Sequence, residues 1–257
     1  MNNTLPLFEH DVTEGRNAMS RPPLAYGDGS ALPSRCLMSF MGDALERFVK
    51  AHGCAVIDTY HSEVRDFPIY EAEYNGVACC LVQGPVGAPA AAILADLLIA
   101  SEVETIVACG GCGTIVPIES GRILVPICAL RDEGTSFHYI EPSREIELDE
   151  SATHIALSTL EALGIRHQPC EVWTCDGFFR ETPGMVALRR DQGCDAVDME
   201  CSALAAVCRA YGASFAQLFY SGDSLADPNN HDERDWIANH NARDVTLRAS
   251  LEVLARL

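Results

Sequence analysis

Basic residues are scarce in this chain. Lys and Arg together number 18 against 37 Asp and Glu, so the 257 residues carry a net charge of −19. Such an acidic surface repels phosphate backbones and anionic lipids, which argues against a nucleic acid or a membrane surface as partner. A small anionic ligand is still compatible with this charge if a local pocket inverts the field.

Long hydrophobic runs are absent as well, since no apolar stretch reaches the roughly 18 residues of a membrane span. The first ten residues lack the basic and then apolar segments of a signal peptide. The 12 cysteines are scattered, and several stand in apolar runs, as Cys79, Cys80 and Cys128 do. This usage indicates buried free thiols rather than a disulfide framework, so we expect a cytoplasmic protein.

Several motifs that carry chemistry are also missing. The chain has no phosphate-binding GxxxxGK[ST], no zinc-binding HExxH and no GxSxG nucleophile turn. Cys109 and Cys112 have CxxC spacing, but neither a second pair of zinc ligands nor the helix start of a thioredoxin motif accompanies them. We therefore expect no metal and no cofactor, and a redox or zinc protein built on these cysteines is one alternative.

The order of the predicted elements indicates the fold class. Residues 1–34 are rich in turn residues and are predicted to form an amino-terminal arm, and 35–257 form one domain. Strands are predicted at 36–41, 54–60, 67–73, 77–82, 105–109, 122–130, 172–174, 196–199 and 215–220. Helices are predicted at 44–52, 89–100, 149–163, 183–191, 200–211 and from about 233 to 257. Alternating strands and helices predict a single-domain, three-layer α/β fold with a central mixed sheet flanked by helices.

Candidate functional residues follow the predicted strands, where ligands bind in such folds. Glu200 and Asp223 stand at the mouths of two late strands, and Phe178 and Met199 lie among them. An aromatic wall, a carboxylate for hydroxyl groups and a second carboxylate for proton donation suit a sugar that bears a flat base. The structural alternative is that Glu200 caps a helix and Asp223 opens a polar loop.

Three segments resemble one enzyme family. Val197-Asp-Met-Glu-Cys-Ser-Ala-Leu204 is similar to the V-E-M-E-x-x-A-L segment of the nucleoside phosphorylase and nucleosidase superfamily, which includes purine nucleoside and uridine phosphorylases. The segments 131–139 and 84–90 look like two further segments of that family. The resemblance covers about residues 35–257. It implies a phosphorylase/hydrolase-like fold and an enzyme that cleaves the N-glycosidic bond of a small-molecule nucleoside.

The resemblance also implies roles for individual residues. Met199 and Glu200 would hold the ribose, with Glu200 accepting hydrogen bonds from the 2′- and 3′-hydroxyls. Phe178 would stack on the base, and Asp223 would protonate or hydrogen-bond N7 of a purine. The remaining substrate-binding positions are in the glycine-rich turns, at Gly87, Gly110 and Gly111.

Base preference follows from two further positions. Pyrimidine-specific members of the family carry a Gln and an Arg after the stacking aromatic. Thr182 and Gly184 occupy those spacings here, so a purine is favoured.

The phosphate-binding residues of the phosphorylases are missing. Their two arginines correspond to Glu46 and Ala108, and their hydroxyl corresponds to Gly111. Arg47 is one residue away from the position of the first arginine. Arg131, or an arginine of a second subunit, could supply the missing positive charge. Nucleosidases of the family carry a Glu at the Glu46 spacing, where it helps to activate water. Hydrolysis is therefore favoured over phosphorolysis, which would use inorganic phosphate as co-substrate.

The resemblance further implies a homo-oligomer, either a dimer or a trimer of dimers. In the family a neighbouring subunit's His or aromatic closes the 5′ side of the ribose, and His10 and His138 are candidates here. A nucleoside-binding sensor that has lost the chemistry is a second alternative to the enzyme.

Overall fold

The computed structural model describes residues 5–17 and 31–257. Its strands are β1 (Arg35–Ser39), β2 (Val56–His61), β3 (Asp66–Tyr74), β4 (Val77–Gln83), β5 (Thr105–Thr114), β6 (Ile123–Asp132), β7 (Glu145–Glu147), β8 (His167–Cys175), β9 (Ala196–Asp198), β10 (Ser214–Asp227) and β11 (Asn230–Asp232). Its α-helices are α1 (Gly42–His52), α2 (Ala88–Ala100), α3 (Glu150–Ala162), α4 (Pro183–Asp191), α5 (Cys201–Tyr211) and α6 (His240–Leu254).

All the strands belong to one mixed sheet, as predicted. Part of the sheet closes on itself, in the order β5, β10, β6, β8 and β9, with β9 pairing back to β5. The rest extends from β5 as an open sheet, in the order β1, β4, β3 and β2. β5 runs parallel to β1 and β10 but antiparallel to β9. Because β5 lies at the junction of the closed part and the open part of the sheet, its last residues stand between β9 and β10.

Helices cover both faces of the sheet, which confirms the three-layer prediction. On one face, α2 and α5 pack into an apolar core that includes Leu94 and Leu204. On the other face, α1, α3 and α6 pack into a second core that includes Leu45, Leu160 and Leu251. The central strands between the helices carry apolar runs, such as Ile106–Cys109 in β5, in keeping with burial on both faces. No helix within the described ranges combines the length and hydrophobicity that a bilayer span requires.

Local sequence signals account for two of these elements. The hairpin between β3 and β4 turns at Asn75 and Gly76, whose φ angles of 50° and 78° are those of a two-residue hairpin turn. The α4 helix occupies the predicted residues 183–191. It begins after Thr182, whose hydroxyl accepts a hydrogen bond from the backbone N–H of Met185.

The predicted glycine turn after residue 109 is wrong. Gly110, Gly111 and Gly113 lie inside β5, which continues to Thr114. Gly111 pairs with Tyr220 of β10, and Gly113 pairs with Val197 of β9. Glycine is disfavoured in strands, but the hydrogen bonds to strands on both sides outweigh this tendency here.

Asp43 lies in the first turn of α1, and its carboxylate binds arginines. The predicted start of the last helix is wrong. The last helix was expected from about residue 233, but α6 begins at His240, where the side chain of Asn239 accepts from the N–H of Ala242. Between β11 and α6, residues 234–238 form turns, and Arg234 and Asp235 there have positive φ angles, which a helix does not allow.

The predicted arm of residues 1–34 is described in part, and residues 1–4 and 18–30 lie outside the described ranges. Pro6–Phe8 and Val12–Asn17 form short 3₁₀ helices. The ring of Phe8 packs edge-on against Phe137, with ring centroids 5.1 Å apart. The division into an arm and a domain stays a prediction.

Candidate active site

A cleft lies where the end of β5 stands between β9 and β10, with the turn after β8 on its rim. Its empty space measures about 820 Å³, including the part open to solvent, which is a typical size for a small-molecule site. Four aromatic residues line it: Phe40, Phe178, Tyr220 and Trp236. Four acidic residues line it as well: Glu181, Asp198, Glu200 and Asp223. Arg243 is the one basic residue of the lining within the described part of the chain.

The cleft brings together five of the predicted site residues. Gly111, Phe178, Met199, Glu200 and Asp223 all line it. They come from β5, the turn after β8, the junction of β9 and α5, and β10. These residues are distant in sequence, and the tertiary structure brings them to one cleft.

The side chain of Glu200 is free to face the cleft because another residue caps α5. Asp198 Oδ2 accepts hydrogen bonds from the backbone N–H groups of Glu200 at 3.0 Å and Cys201 at 2.7 Å. Its second oxygen accepts from the hydroxyl of Thr174 at 2.7 Å. Glu200 Oε1 instead accepts from the backbone N–H of Gly87 at 2.6 Å. The helix-cap interpretation therefore applies to Asp198 and not to Glu200.

Burial governs the protonation of these two carboxyls. Glu200 is only 7% exposed and Asp198 only 6%. Burial, and then the charge of Asp198, raise the pKa of Glu200 to about 8. Burial also raises the pKa of Asp198 to about 6, against the lowering effect of its hydrogen bonds. A ligand that donates two hydrogen bonds to Glu200 would favour its ionised form.

Asp223 is paired with a histidine that the sequence analysis did not single out. Its Oδ2 lies 2.7 Å from Nε2 of His231, which is on the neighbouring strand β11. The side chain of Asp223 is 17% exposed and that of His231 is 45% exposed, so the histidine connects the cleft to solvent. Glu181 lies close to this pair: burial, and then the charge of Asp223, raise the pKa of Glu181 to about 7.

Tyr220 fills the space next to Gly111. The two residues are partners in the parallel pairing of β5 and β10. A Cβ atom at position 111 would lie 2.9 Å from both Cζ and Oη of Tyr220. The phenol ring is fully buried, and its hydroxyl donates to the carbonyl oxygen of Trp236 at 3.3 Å. Glycine at position 111 is therefore what allows the ring to lie there.

Arg243 approaches the same hydroxyl from α6. Its Nη1 donates to Oη of Tyr220 at 3.1 Å, and its Nε donates to Oδ1 of Asp43 at 2.8 Å. The other oxygen of Asp43 accepts from Arg47 at 2.7 Å, and Arg47 also binds Asp244 at 2.6 Å. Against the effect of burial, the hydrogen bonds from Arg47 and Arg243 lower the pKa of Asp43 to about 2. Two arginines and two aspartates therefore form a neutral chain.

Several predicted residues do not reach the cleft. Glu46 lies on the exposed side of α1 and is not part of the lining, so the geometry gives no support to its predicted water role. Arg131 is buried elsewhere and donates to Ser136, Glu141 and Ser143.

Three other candidates stand outside the lining too. His138 stacks on His10, with ring centroids 4.9 Å apart. Gly110 contacts Phe40, which does line the cleft. Gly87 contributes through its hydrogen bond to Glu200.

Sequence reasoning missed Glu181, His231, Tyr220 and Arg243. Tyr220 and Glu181 stand within three residues of Asp223 and Phe178, so the segments already singled out contained them. Arg243 lies in an ordinary amphipathic helix, and no local pattern distinguishes it. Its approach to Tyr220 depends on how α6 packs against β5 and β10.

Cys109 and Cys112 do not form a reactive pair. Both are buried in β5, and three positions along a strand place their side chains on opposite faces. Burial raises the pKa of both thiols. In residues 5–17 and 31–257 no cluster of three His, Cys, Asp or Glu side chains could hold a metal ion.

Comparison with known proteins places the chain in a family. A sequence model described as the Phosphorylase superfamily matches residues 34–251. The chain is 28% identical to uridine phosphorylase of Thermococcus kodakarensis over 116 residues, which are 45% of this chain and 42% of that protein. It is also 28% identical to guanosine phosphorylase of Halorubrum lacusprofundi over 149 residues, which are 58% of this chain and 62% of that protein. The chain thus spans about half the length of these curated relatives.

A solved structure shares the fold. The 5′-methylthioadenosine/S-adenosyl homocysteine nucleosidase of Campylobacter jejuni superimposes with a TM-score of 0.72 at 18% identity. The match covers 88% of this chain and 100% of that one. At this identity the likeness concerns the fold alone.

Proposed function

Because this chain belongs to the phosphorylase superfamily, we propose that it cleaves the N-glycosidic bond of a purine-type nucleoside and transfers the ribosyl group to water. The observation that carries the proposal is the convergence of Phe178, Met199, Glu200 and Asp223 on one cleft. A sensor that only binds a nucleoside would have no need of an acid paired with a histidine, as Asp223 is with His231.

Glu200 and Phe178 would hold the two halves of the substrate. The carboxylate of Glu200, anchored by Gly87, offers two oxygens to the vicinal hydroxyls of the ribose. Phe178 is half-exposed at the rim, so its ring has a face available for the base. Met199 also lines the cleft and would pack against the sugar.

Asp223 would stabilise the leaving base. As the bond between C1′ and N9 breaks, negative charge develops on the purine, and a proton donated to N7 offsets it. Asp223 Oδ2 lies 2.7 Å from Nε2 of His231, and the half-exposed imidazole would connect the acid to solvent. The sugar meanwhile develops oxocarbenium character, as in glycoside hydrolysis.

The charges of the cleft favour water as the acceptor. Four carboxyl groups line it against one guanidinium, and that guanidinium is bound to Asp43. A phosphate dianion without a free cationic partner is costly to bury. Water carries no charge and avoids this cost.

Phosphorolysis is the second candidate, because both curated relatives are named as phosphorylases. It requires a cation that the cleft does not supply by itself. Arg47, or an arginine of a second subunit, would have to move into the cleft. The product would then be ribose 1-phosphate, with inorganic phosphate as co-substrate.

We also propose that the protein acts as a homo-oligomer in the cytoplasm. Phe179 is 92% exposed beside the rim, and Ile237 is 66% exposed. Large apolar side chains that are exposed to this extent support a surface that a partner covers. The 12 free cysteines are compatible with a reducing compartment.

The experiment is a measurement of base release from a panel of purine and pyrimidine nucleosides, each with and without phosphate. We expect purine release that is independent of phosphate and yields free ribose. Release that requires phosphate would favour the second candidate, and cleavage of uridine alone would contradict the purine preference. Binding of nucleosides without any base release would support the sensor.

A further inference from the structure

One of the two tryptophans of the chain stands in the cleft. Trp236 belongs to the segment 233–239, between β11 and α6, and it is 37% exposed. The other, Trp173, is fully buried in β8. A large aromatic ring that stays exposed in a cleft has apolar surface available for a ligand. Trp236 therefore offers an indole to the molecule that occupies the cleft.

The segment 233–239 is held in place on both sides of the indole. The carbonyl oxygen of Trp236 accepts a hydrogen bond from Oη of Tyr220 at 3.3 Å. Nη1 of Arg234 donates to the carbonyl oxygen of Ile118 at 2.9 Å. Arg234 and Asp235 have φ angles of 50° and 46°, which residues other than glycine rarely adopt. Such a conformation persists where the surrounding contacts impose it, so the indole is presented from a fixed backbone.

A β-bulge in β10 turns Asp223 toward the same side of the sheet as Tyr220. Gly222 and Asp223 together stand opposite the single residue Gly113 of β5. A Cβ atom at Gly113 would lie 3.3 Å from Oδ1 of Asp223. Gly111, two positions earlier on the same face of β5, meets the ring of Tyr220 in the same way. The bulge thus brings the acid to the face on which the Tyr220 ring lies.

Trp236 packs against this bulge. A Cβ atom at Gly222 would lie 3.4 Å from Cβ of Trp236. Gly222 immediately precedes Asp223, and its lack of a side chain is what allows Trp236 to come this close. The tryptophan therefore stands at the end of the cleft that contains the acid.

We propose that Trp236 is a specificity-determining residue that contacts the base and favours a two-ring base over a one-ring base. The inference rests on the proposed function, which places the leaving base beside Asp223. It deepens that function by adding a second aromatic contact to that of Phe178. A purine presents a larger flat surface than a pyrimidine, so it gains more from a second aromatic ring.

The first test is Trp236→Ala, which removes the indole and keeps the main-chain carbonyl that Tyr220 binds. We expect KM for purine nucleosides to rise about tenfold, the scale of losing one contact between a base and an aromatic ring. We expect kcat to stay within about threefold, because no reacting group is altered. Tyr211→Ala is the matched control, since Tyr211 is a half-exposed aromatic at the far end of α5. A KM in Trp236→Ala equal to that of the control would overturn the inference.

Quenching of tryptophan fluorescence by acrylamide tests the contact on the unmodified protein. This neutral quencher reaches the exposed Trp236 and not the buried Trp173, so the quenched emission reports on Trp236. Adenine, guanine and hypoxanthine are tested, and equilibrium dialysis identifies those that bind. A bound purine base should lower the quenching constant, whereas uracil and free ribose should leave it unchanged.

Three results of the quenching experiment would overturn the inference. The first is a bound purine base that leaves quenching unaltered, and the second is protection by ribose or uracil equal to that by a purine. The third is protection that needs no base and rises with protein concentration, which would show that a second subunit covers the ring.

The inference and the proposed function fail in different ways. Base release from nucleosides, combined with an unaltered KM in Trp236→Ala, overturns the inference and leaves N-glycosidic cleavage standing. No base release from any nucleoside refutes the proposed function itself.

Discussion

The backbone N–H of Gly87 donates to the carboxylate of Glu200 at 2.6 Å, across 113 positions of sequence. Gly87 has a φ of 98°, a conformation that glycine tolerates and other residues rarely adopt. This bond ties the start of α2 to the start of α5 and holds one oxygen of Glu200 in place. The carboxylate on which ribose binding is proposed to depend is therefore preorganised by a residue from another predicted segment.

The buried carboxyl of Glu200 should make stability depend on pH. Its pKa rises from 4.5 to about 8, first through burial and then through Asp198. Between those values the folded state binds more protons than the unfolded state, so the free energy of unfolding should fall as pH rises from about 4.5 to about 8. Glu200→Gln should reduce this fall in the free energy of unfolding by at least about 1 kcal/mol. This is a conservative figure, because a shift of one pKa unit already corresponds to about 1.4 kcal/mol.

Urea unfolding at several pH values between 5 and 8 measures this directly. Asp198 stays in both proteins, and because its charge interacts with that of Glu200, the comparison measures the pH dependence of the pair of carboxyls. Identical pH profiles for the two proteins would show that Glu200 is ionised at no cost in the folded state.

Asp223→Asn should slow turnover much more than it weakens binding. The amide keeps the shape of the side chain, but it cannot pass a proton from His231 to the base. We expect kcat to drop about 10²- to 10⁴-fold, the range of general acid catalysis, with KM changed little. Asp227→Asn is the control, because Asp227 lies at the exposed end of the same strand. A fall in affinity with turnover preserved would assign Asp223 to binding instead.

Phe178→Ala should raise KM for purine nucleosides by about tenfold, since stacking on a base is worth about 1–3 kcal/mol. The neighbouring Phe179 is an internal control, because its ring is 92% exposed and does not line the cleft. Steady-state kinetics of Phe178→Ala and Phe179→Ala side by side separate stacking from the loss of apolar surface. Equal effects of the two substitutions would argue against a base-stacking role.

Gly111→Ala should destabilise the protein. The added methyl group would lie 2.9 Å from the ring of Tyr220, which is fully buried. Overpacking of this kind costs about 1–3 kcal/mol. Gly184→Ala is the control, since a Cβ there meets no atom within 4 Å. Thermal unfolding compares the two, and a Gly111→Ala protein as stable as the parent would show that the ring can move aside.

The elements with strong local signals were predictable. The Asn75-Gly76 hairpin and α4 follow from turn and capping residues, and these act over a few positions. The extent of β5 was not predictable, because Gly110 to Gly113 read as a turn until β9 and β10 are known to pair with them. The late start of α6 was not predictable either, because residues 234–238 form turns in which Arg234 and Asp235 have positive φ angles.

The residues of the candidate site also fall into those that the sequence could name and those that only the structure reveals. Phe178, Met199, Glu200 and Asp223 could be named from sequence, because each stands in a recognisable segment near the end of a strand. The sequence alone thus determined the fold class, the family resemblance and the acidic character that disfavours phosphate. Only the tertiary structure decided that Glu46 stays outside the cleft, that His231 pairs with Asp223, and that Tyr220 and Arg243 meet beside Gly111. These contacts join β5, β10, β11 and α6, and they exist because the packing of the sheet and its helices brings distant residues within hydrogen-bond distance.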